Sequence, residues 1–248
     1  MLLLHGIGGG QGIWRDTLPA LGQAGWHARA IDFPGYGASP GQPTLAAMVG
    51  AVADHVADLR RGAGVVLIGH SMGGMVAQEL LATMPEATAQ ISGLVLACTS
   101  AAFGPDDGDW QARFIAERLA PLDAGLGMAA MAAQVLAGMV SPQARAGARD
   151  DAAAVMAGVA EASYRVALAS IVSFDRRAEL ARIAVPTLML AGEHDRTAPA
   201  ALMQRMSQRV AGAEYHCLSG AGHVAHVEQP AAFNAALLDF LQRRLASA

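Results

Sequence analysis

The sequence predicts an α/β protein, a mostly parallel sheet flanked by helices and interrupted once by a helical insertion. Short runs rich in Val, Leu and Ile, at 1–4, 28–31, 65–68, 93–97, 187–191 and 214–218, alternate with longer helical patterns. Their hydrophobicity is mostly continuous rather than alternating, as expected of strands covered on both faces rather than half-solvated ones. From 101 to 182 no strand pattern occurs, only Ala- and Met-rich helical segments punctuated by Pro105, Pro121 and Pro142.

Taken in order, the first strand feeds the glycine-rich loop His5-Gly6-Ile7-Gly8-Gly9-Gly10, and the second ends at Asp32. A helix at 45–60 opens on Thr44, whose hydroxyl suits an N-cap. The third strand runs through a glycine turn into a helix at 73–84. After the fourth, the insertion can cover the carboxyl ends of the strands, where open α/β sheets bind ligands. Its methionines, Met128, Met131, Met139 and Met156, are expected mainly as core filler. Strand 187–191, helix 200–210, strand 214–218 and helix 231–246 complete the chain. The expected organisation is a core of 1–100 and 183–248 with an insertion at 101–182. No internal repeat is evident.

Hydrophobic residues make up 53% of the 248 and charged ones 15%, which excludes a disordered tail and leaves a chain with a sizeable core. A formal net charge of -4 gives no basic footprint for phosphate backbones, so nucleic acid is not an expected partner. All 17 basic residues are arginines. The lack of lysine excludes a Walker-type phosphate lysine, a Schiff base and a Ser-Lys dyad. Cys98 and Cys217 are too few for a disulfide framework and read as buried apolar filler. The opening ten residues lack the basic region and cleavage pattern of a secretory signal, so a cytoplasmic protein is expected. The uncharged stretch 124–144 is Ala, Gly and Met with Gln134, Ser141 and Pro142 inside it; a buried or cleft-lining helix is expected, with no membrane contact.

The strongest chemical signal is Gly69-His70-Ser71-Met72-Gly73-Gly74, lying between a strand and a helix. This is G-x-S-x-G in the context that a nucleophile elbow requires: a strained turn lifts the Ser71 hydroxyl clear of the sheet, and side chains at Gly69 or Gly73 would collide with neighbouring backbone. A serine hydroxyl is a weak nucleophile, so it needs a base, and the base needs an acid to fix its tautomer. Asp195 follows the strand 187–191 and is the expected acid, with Glu193 its rival. His223, on the loop Gly220-Ala221-Gly222, is the expected base, with His226 its rival. The amides of Ile7 and Met72 are the expected oxyanion donors. His5 is expected to make structural hydrogen bonds.

Two other chemistries are weaker. Asp32 invites a dinucleotide site, but no register of the first loop gives G-x-G-x-x-G/A. His223, His226 and Glu228 bring metal-ligand types together, yet no H-E-x-x-H or equivalent occurs; neither metal nor cofactor is expected.

The chain resembles the α/β-hydrolase superfamily through His5-Gly6, the segment Asp32-Phe33-Pro34-Gly35-Tyr36-Gly37-Ala38-Ser39, the Ser71 elbow, Pro186-Thr187 on to Asp195, and Gly222-His223 with Glu228-Gln229-Pro230. The order Ser, Asp, His is the order of that fold. Within it, Ser71-Met72-Gly73-Gly74-Met75-Val76-Ala77-Gln78 and Leu94-Val95-Leu96-Ala97-Cys98-Thr99-Ser100-Ala101 are similar to 3-oxoadipate enol-lactonases and their esterase relatives. The resemblance implies an α/β-hydrolase fold with a helical cap, and a serine hydrolase that cleaves a small carboxylic ester or lactone through an acyl-enzyme. A hydrolase cleaving carbon-carbon bonds of dienoic keto acids is the alternative, although Asp16 and Thr17 stand where that class is expected to carry Asn; a non-catalytic receptor is a third. Trp110, Phe114 and Arg113 are candidate substrate contacts. An acidic lactone would need a cation, which Arg113, Arg118 or Arg165 could supply. The hairpin usual before the first strand in that family does not occur ahead of it here; the expectation is either that strand 28–31 has an exposed edge, inviting pairing into a homodimer, or that the start at Met1 is wrongly assigned.

Overall fold

The computed structural model describes residues 1–59, 64–104 and 108–245. Pro105 and the expected helix ends at Arg60 and Ala246 lie outside them. Six strands form one sheet in the order β2-β1-β3-β4-β5-β6: β1 (Leu2–Leu4), β2 (Arg29–Ile31), β3 (Val65–His70), β4 (Ile91–Ala97), β5 (Thr187–Gly192) and β6 (Glu214–Leu218). Every pairing is parallel. β1, β3 and β5 are buried along their whole length, which explains their continuous apolar runs.

Helices cover both faces: α1 (Thr17–Gln23), α2 (Leu45–Asp58), α3 (Met72–Thr83), α4 (Pro85–Thr88), then α5 (Gly108–Asp123), α6 (Gly127–Met139), α7 (Ala148–Ala157) and α8 (Glu161–Ile171), and finally α9 (Ala200–Ser207), α10 (Ala225–Glu228) and α11 (Pro230–Leu245). A 3-10 turn at Gln11–Trp14 precedes α1. Thr44 caps α2 as expected, its hydroxyl oxygen accepting from the Ala47 amide.

Helices α5 to α8 form the insertion between β4 and β5. Its two ends are tied in a short antiparallel stem, where Ala102 bridges Asp175 and the Phe103 amide donates to Phe174 O at 2.9 Å. The stretch 124–144 contributes α6, with Met131, Ala132 and Leu136 buried. Among the described residues no single helix is long and apolar enough to cross a membrane.

One expectation is corrected. Cys98 is buried, but Cys217 is exposed. The cause is topological: Cys217 sits on β6, an outermost strand whose burial is incomplete. Sequence order alone does not reveal which strand ends the sheet.

Candidate active site

The turn after β3 puts Ser71 in the left-handed region, at φ 52°. A non-glycine residue in that region is strained by about 1–3 kcal/mol and persists only where its surroundings hold it there. The Ser71 amide donates to Ala97 O at 3.0 Å, and its carbonyl accepts from the Gly74 amide at 2.9 Å and from the Thr99 hydroxyl at 2.7 Å. Crowding accounts for both flanking glycines. A Cβ at Gly73 would lie 2.3 Å from Leu4 O, and one at Gly69 would lie 2.6 Å from Gly73 O.

His223 Nε2 lies 3.0 Å from Ser71 Oγ, and its Nδ1 lies 2.8 Å from Asp195 Oδ2. A carboxylate only accepts, so Nδ1 carries the hydrogen and Nε2 is left to receive the serine proton. The other carboxylate oxygen of Asp195 accepts the amides of Thr197 and Ala198 at 2.8 and 2.9 Å. Burial alone would raise the Asp195 carboxyl, but His223 and these amides outweigh it and hold it below the usual range.

The rivals stand elsewhere. Glu193 accepts from the Ser219 hydroxyl and the Gly220 amide, both at 2.8 Å. His226 is buried with both ring nitrogens unpartnered among the described residues, stacked on Trp14 with ring centroids 4.3 Å apart. Asp32 is occupied by Gln11, whose amide donates to Oδ1 at 2.6 Å, so it serves the first loop's structure. Glu228 is fully buried and accepts three backbone amides, from Ser141 and Gly222 at 2.8 Å and from Val224 at 2.9 Å. Its carboxyl is raised by burial, against the pull of those amides.

Both expected anion donors have their direction set through the carbonyl of the same peptide. Gly6 O, which shares a planar trans peptide with the Ile7 amide, accepts from the Gly9 amide at 2.9 Å and from His5 Nδ1 at 2.8 Å, so the Ile7 N–H points the opposite way. Ser71 O, held by Thr99, does the same for the Met72 amide. Neither amide donates to a protein group among the described residues. His5 completes its structural role by accepting the Phe33 amide at Nε2. Burial lowers its pKa to about 4.

A cavity of about 410 Å³ opens over Ser71 and is lined by Ile7, Met72 and His223 on the sheet side. That is a small-molecule volume. Trp110 and Phe114 line its other wall, with Met139 and Met156, while Met128 and Met131 are packed inside the insertion. Arg113 is exposed and outside the lining, because one residue's step from Phe114 turns it about 100° around α5. Arg165 pairs with Asp123 and Glu161. Arg118, four residues beyond Phe114, does line the cavity.

The sequence reading missed Thr99, His70 and the role of Glu228. His70 Nε2 donates to the His223 carbonyl at 2.8 Å. Their partners are backbone atoms of distant segments, which leave no local pattern to find.

A serine at a strained elbow, an imidazole within reach and a buried carboxylate behind it can together deliver a nucleophilic oxygen to a bound carbonyl. Residues 1–236 match the family model described as "Alpha/beta hydrolase family". The chain belongs to the alpha/beta hydrolase family. It is 31% identical over 250 residues to the Variovorax paradoxus (strain S110) protein named "Putative carbamate hydrolase RutD", covering 98% of this chain and 91% of that one. It is 30% identical over 254 residues to a pimeloyl-acyl-carrier-protein methyl ester esterase of Sodalis glossinidius (strain morsitans), covering 98% and 93%. Among solved structures, the enol-lactonase of Burkholderia xenovorans LB400 superposes with a TM-score of 0.81 at 25% identity, covering 97% of this chain and 90% of that one. In an alpha/beta hydrolase the elbow serine is followed along the chain by its acid and then its histidine, the order in which Ser71, Asp195 and His223 occur.

Proposed function

We propose that this protein is a serine hydrolase cleaving a carboxylic ester or lactone of a small substrate through an acyl-enzyme on Ser71. The observation that carries the reading is the unbroken hydrogen-bonded chain from Asp195 through His223 to Ser71 Oγ, ending at the cavity.

In this mechanism Ser71 Oγ attacks the substrate carbonyl carbon while His223 Nε2 takes the hydroxyl proton. Asp195, already ionised and doubly amide-bonded, stabilises the imidazolium and keeps its tautomer. The oxyanion forms where the Ile7 and Met72 amides converge; one such donor is typically worth about 2.7–4 kcal/mol of transition-state stabilisation. His223 then protonates the leaving alkoxide or enolate. Water, deprotonated by the same imidazole, attacks the acyl-enzyme carbonyl and releases Ser71. The names of the relatives, an ester, an enol-lactone and a carbamate, share an acyl carbon bearing a heteroatom leaving group, which suits this chemistry.

The test is hydrolysis of p-nitrophenyl acetate and butyrate by the wild-type chain and by Ser71→Ala. Wild-type turnover that falls at least a thousandfold in the variant is expected. Turnover that persists in Ser71→Ala places the chemistry elsewhere.

A further inference from the structure

Resting on the ester-hydrolase reading, we propose that Arg118 is a carboxylate anchor in the substrate cavity, so that the ester cleaved at Ser71 carries an anionic group. Trp110, Phe114 and Arg118 recur every four residues along α5, and all three line the cavity. Trp110 and Phe114 stack with centroids 5.2 Å apart at 22°, and the Arg118 guanidinium lies 5.2 Å from the centre of the Phe114 ring. This stacking holds the planar cation against the apolar wall rather than leaving it to swing into solvent. The buried Tyr164 hydroxyl is a neighbour of the guanidinium and lines the same cavity.

A guanidinium presents five donors. The hydroxyl of Tyr164 and the face of Phe114 leave most of them unsatisfied. Arg15, Arg145, Arg165, Arg176, Arg177, Arg243 and Arg244 each hold a carboxylate, whereas Arg118 has none within ion-pair distance among the described residues. No Asp or Glu is among the described residues that line the cavity, and its other charged residue is also an arginine, Arg196. A mostly apolar cavity with cations and no acid is complementary to a ligand with an apolar body and one carboxylate, which can take two parallel N–H donors from a single guanidinium. The carboxylate is recognised and unchanged; the bond broken remains the ester at Ser71.

The test compares monomethyl glutarate with methyl pentanoate, esters of equal acyl length that differ in a terminal carboxylate. Values of kcat/KM are measured for wild type, Arg118→Met and Arg118→Lys, and dissociation constants by calorimetry for Ser71→Ala with and without Arg118→Met. A wild-type preference for the acid ester of ~10- to 100-fold is expected, from the usual strength of a charge-assisted hydrogen bond. Arg118→Met should reduce that ratio at least tenfold, and Lys should restore part of it. A ratio near one in wild type, or one that Arg118→Met leaves intact, overturns the anchor. Tighter, Arg118-dependent binding of the acid ester to Ser71→Ala without turnover by the wild type would uphold the anchor and sink the hydrolase reading. Hydrolysis of both esters with no difference in rate or binding would do the reverse.

Discussion

The backbone amide of Ser141, in the helical insertion, donates to the buried carboxylate of Glu228 at 2.8 Å. The same carboxylate holds the amides of Gly222 and Val224, the residues on either side of His223, and the His223 amide itself donates to Met139 O at 2.8 Å. The insertion and the histidine loop are therefore one hydrogen-bonded unit, and the same carboxylate that holds the insertion at Ser141 holds the backbone around His223.

Replacing Glu228 should damage both stability and rate. Glu228→Gln turns an NH₂ toward at least one of three buried donors, at about 1–3 kcal/mol for the group left unsatisfied. Glu228→Ala strips all three. Urea unfolding should show the Ala variant less stable than the Gln variant, and kcat for an activated ester should fall in the same order. Full activity in Glu228→Ala would contradict this coupling.

Thr99→Val keeps the buried shape and removes the hydroxyl that holds Ser71 O. Ser71 O then keeps only the amides of its own helix, Gly74 at 2.9 Å and Met75 at 3.2 Å, so the Met72 amide, the expected anion donor, is held less rigidly. A loss of about 1 kcal/mol, roughly fivefold in kcat with KM little changed, is expected. Steady-state kinetics on a p-nitrophenyl ester checks it, and a change in KM alone would assign Thr99 to ground-state binding instead.

Three buried histidines make the fold acid-sensitive. Burial lowers His5 to about 4 and His70, with the help of His223, to about 3; His226 is pushed well below its ordinary 6.5 by burial and by its histidine neighbours. A base whose pKa is lower folded than unfolded binds fewer protons in the native state, so stability falls as pH falls below about 6.5 and keeps falling to the folded values. Each such histidine contributes a slope of up to about 1.4 kcal/mol per pH unit in that window. His226 makes no hydrogen bond among the described residues, so His226→Phe should retain the stack on Trp14 and flatten the profile by one histidine's share. Urea titrations between pH 7.5 and 5 measure this; an unchanged slope would mean that His226 titrates alike in both states.

Strands β1 and β3 to β5, the elbow and the place of Ser71 on it were legible because each is written in adjacent residues: apolar runs for those strands, and glycines whose missing Cβ atoms the Ser71 turn requires; β6, Glu-Tyr-His-Cys-Leu, carries no such run. Asp195 over Glu193 was less so. Two positions apart on one loop, they separate only when the turn after β5 sends Glu193 to Ser219 and Asp195 to His223. Arg118 over Arg113 depends on the rotation of α5 against the cavity, and nothing within the insertion's Ala-rich sequence marks its inward face. Cys217 depended on the order of strands in space. Thr99, Glu228 and His70 act on backbone atoms far along the chain, and only the folded arrangement brings those partners together.

During turnover the Ser71 oxygen is expected to become covalently acylated. Rapid quenching of the wild-type chain with p-nitrophenyl butyrate, followed by intact mass and peptide mapping, tests it most directly. A butyryl group on the peptide containing Ser71, absent in Ser71→Ala, is the predicted result; a butyryl group on any other side chain, retained in Ser71→Ala, would contradict it.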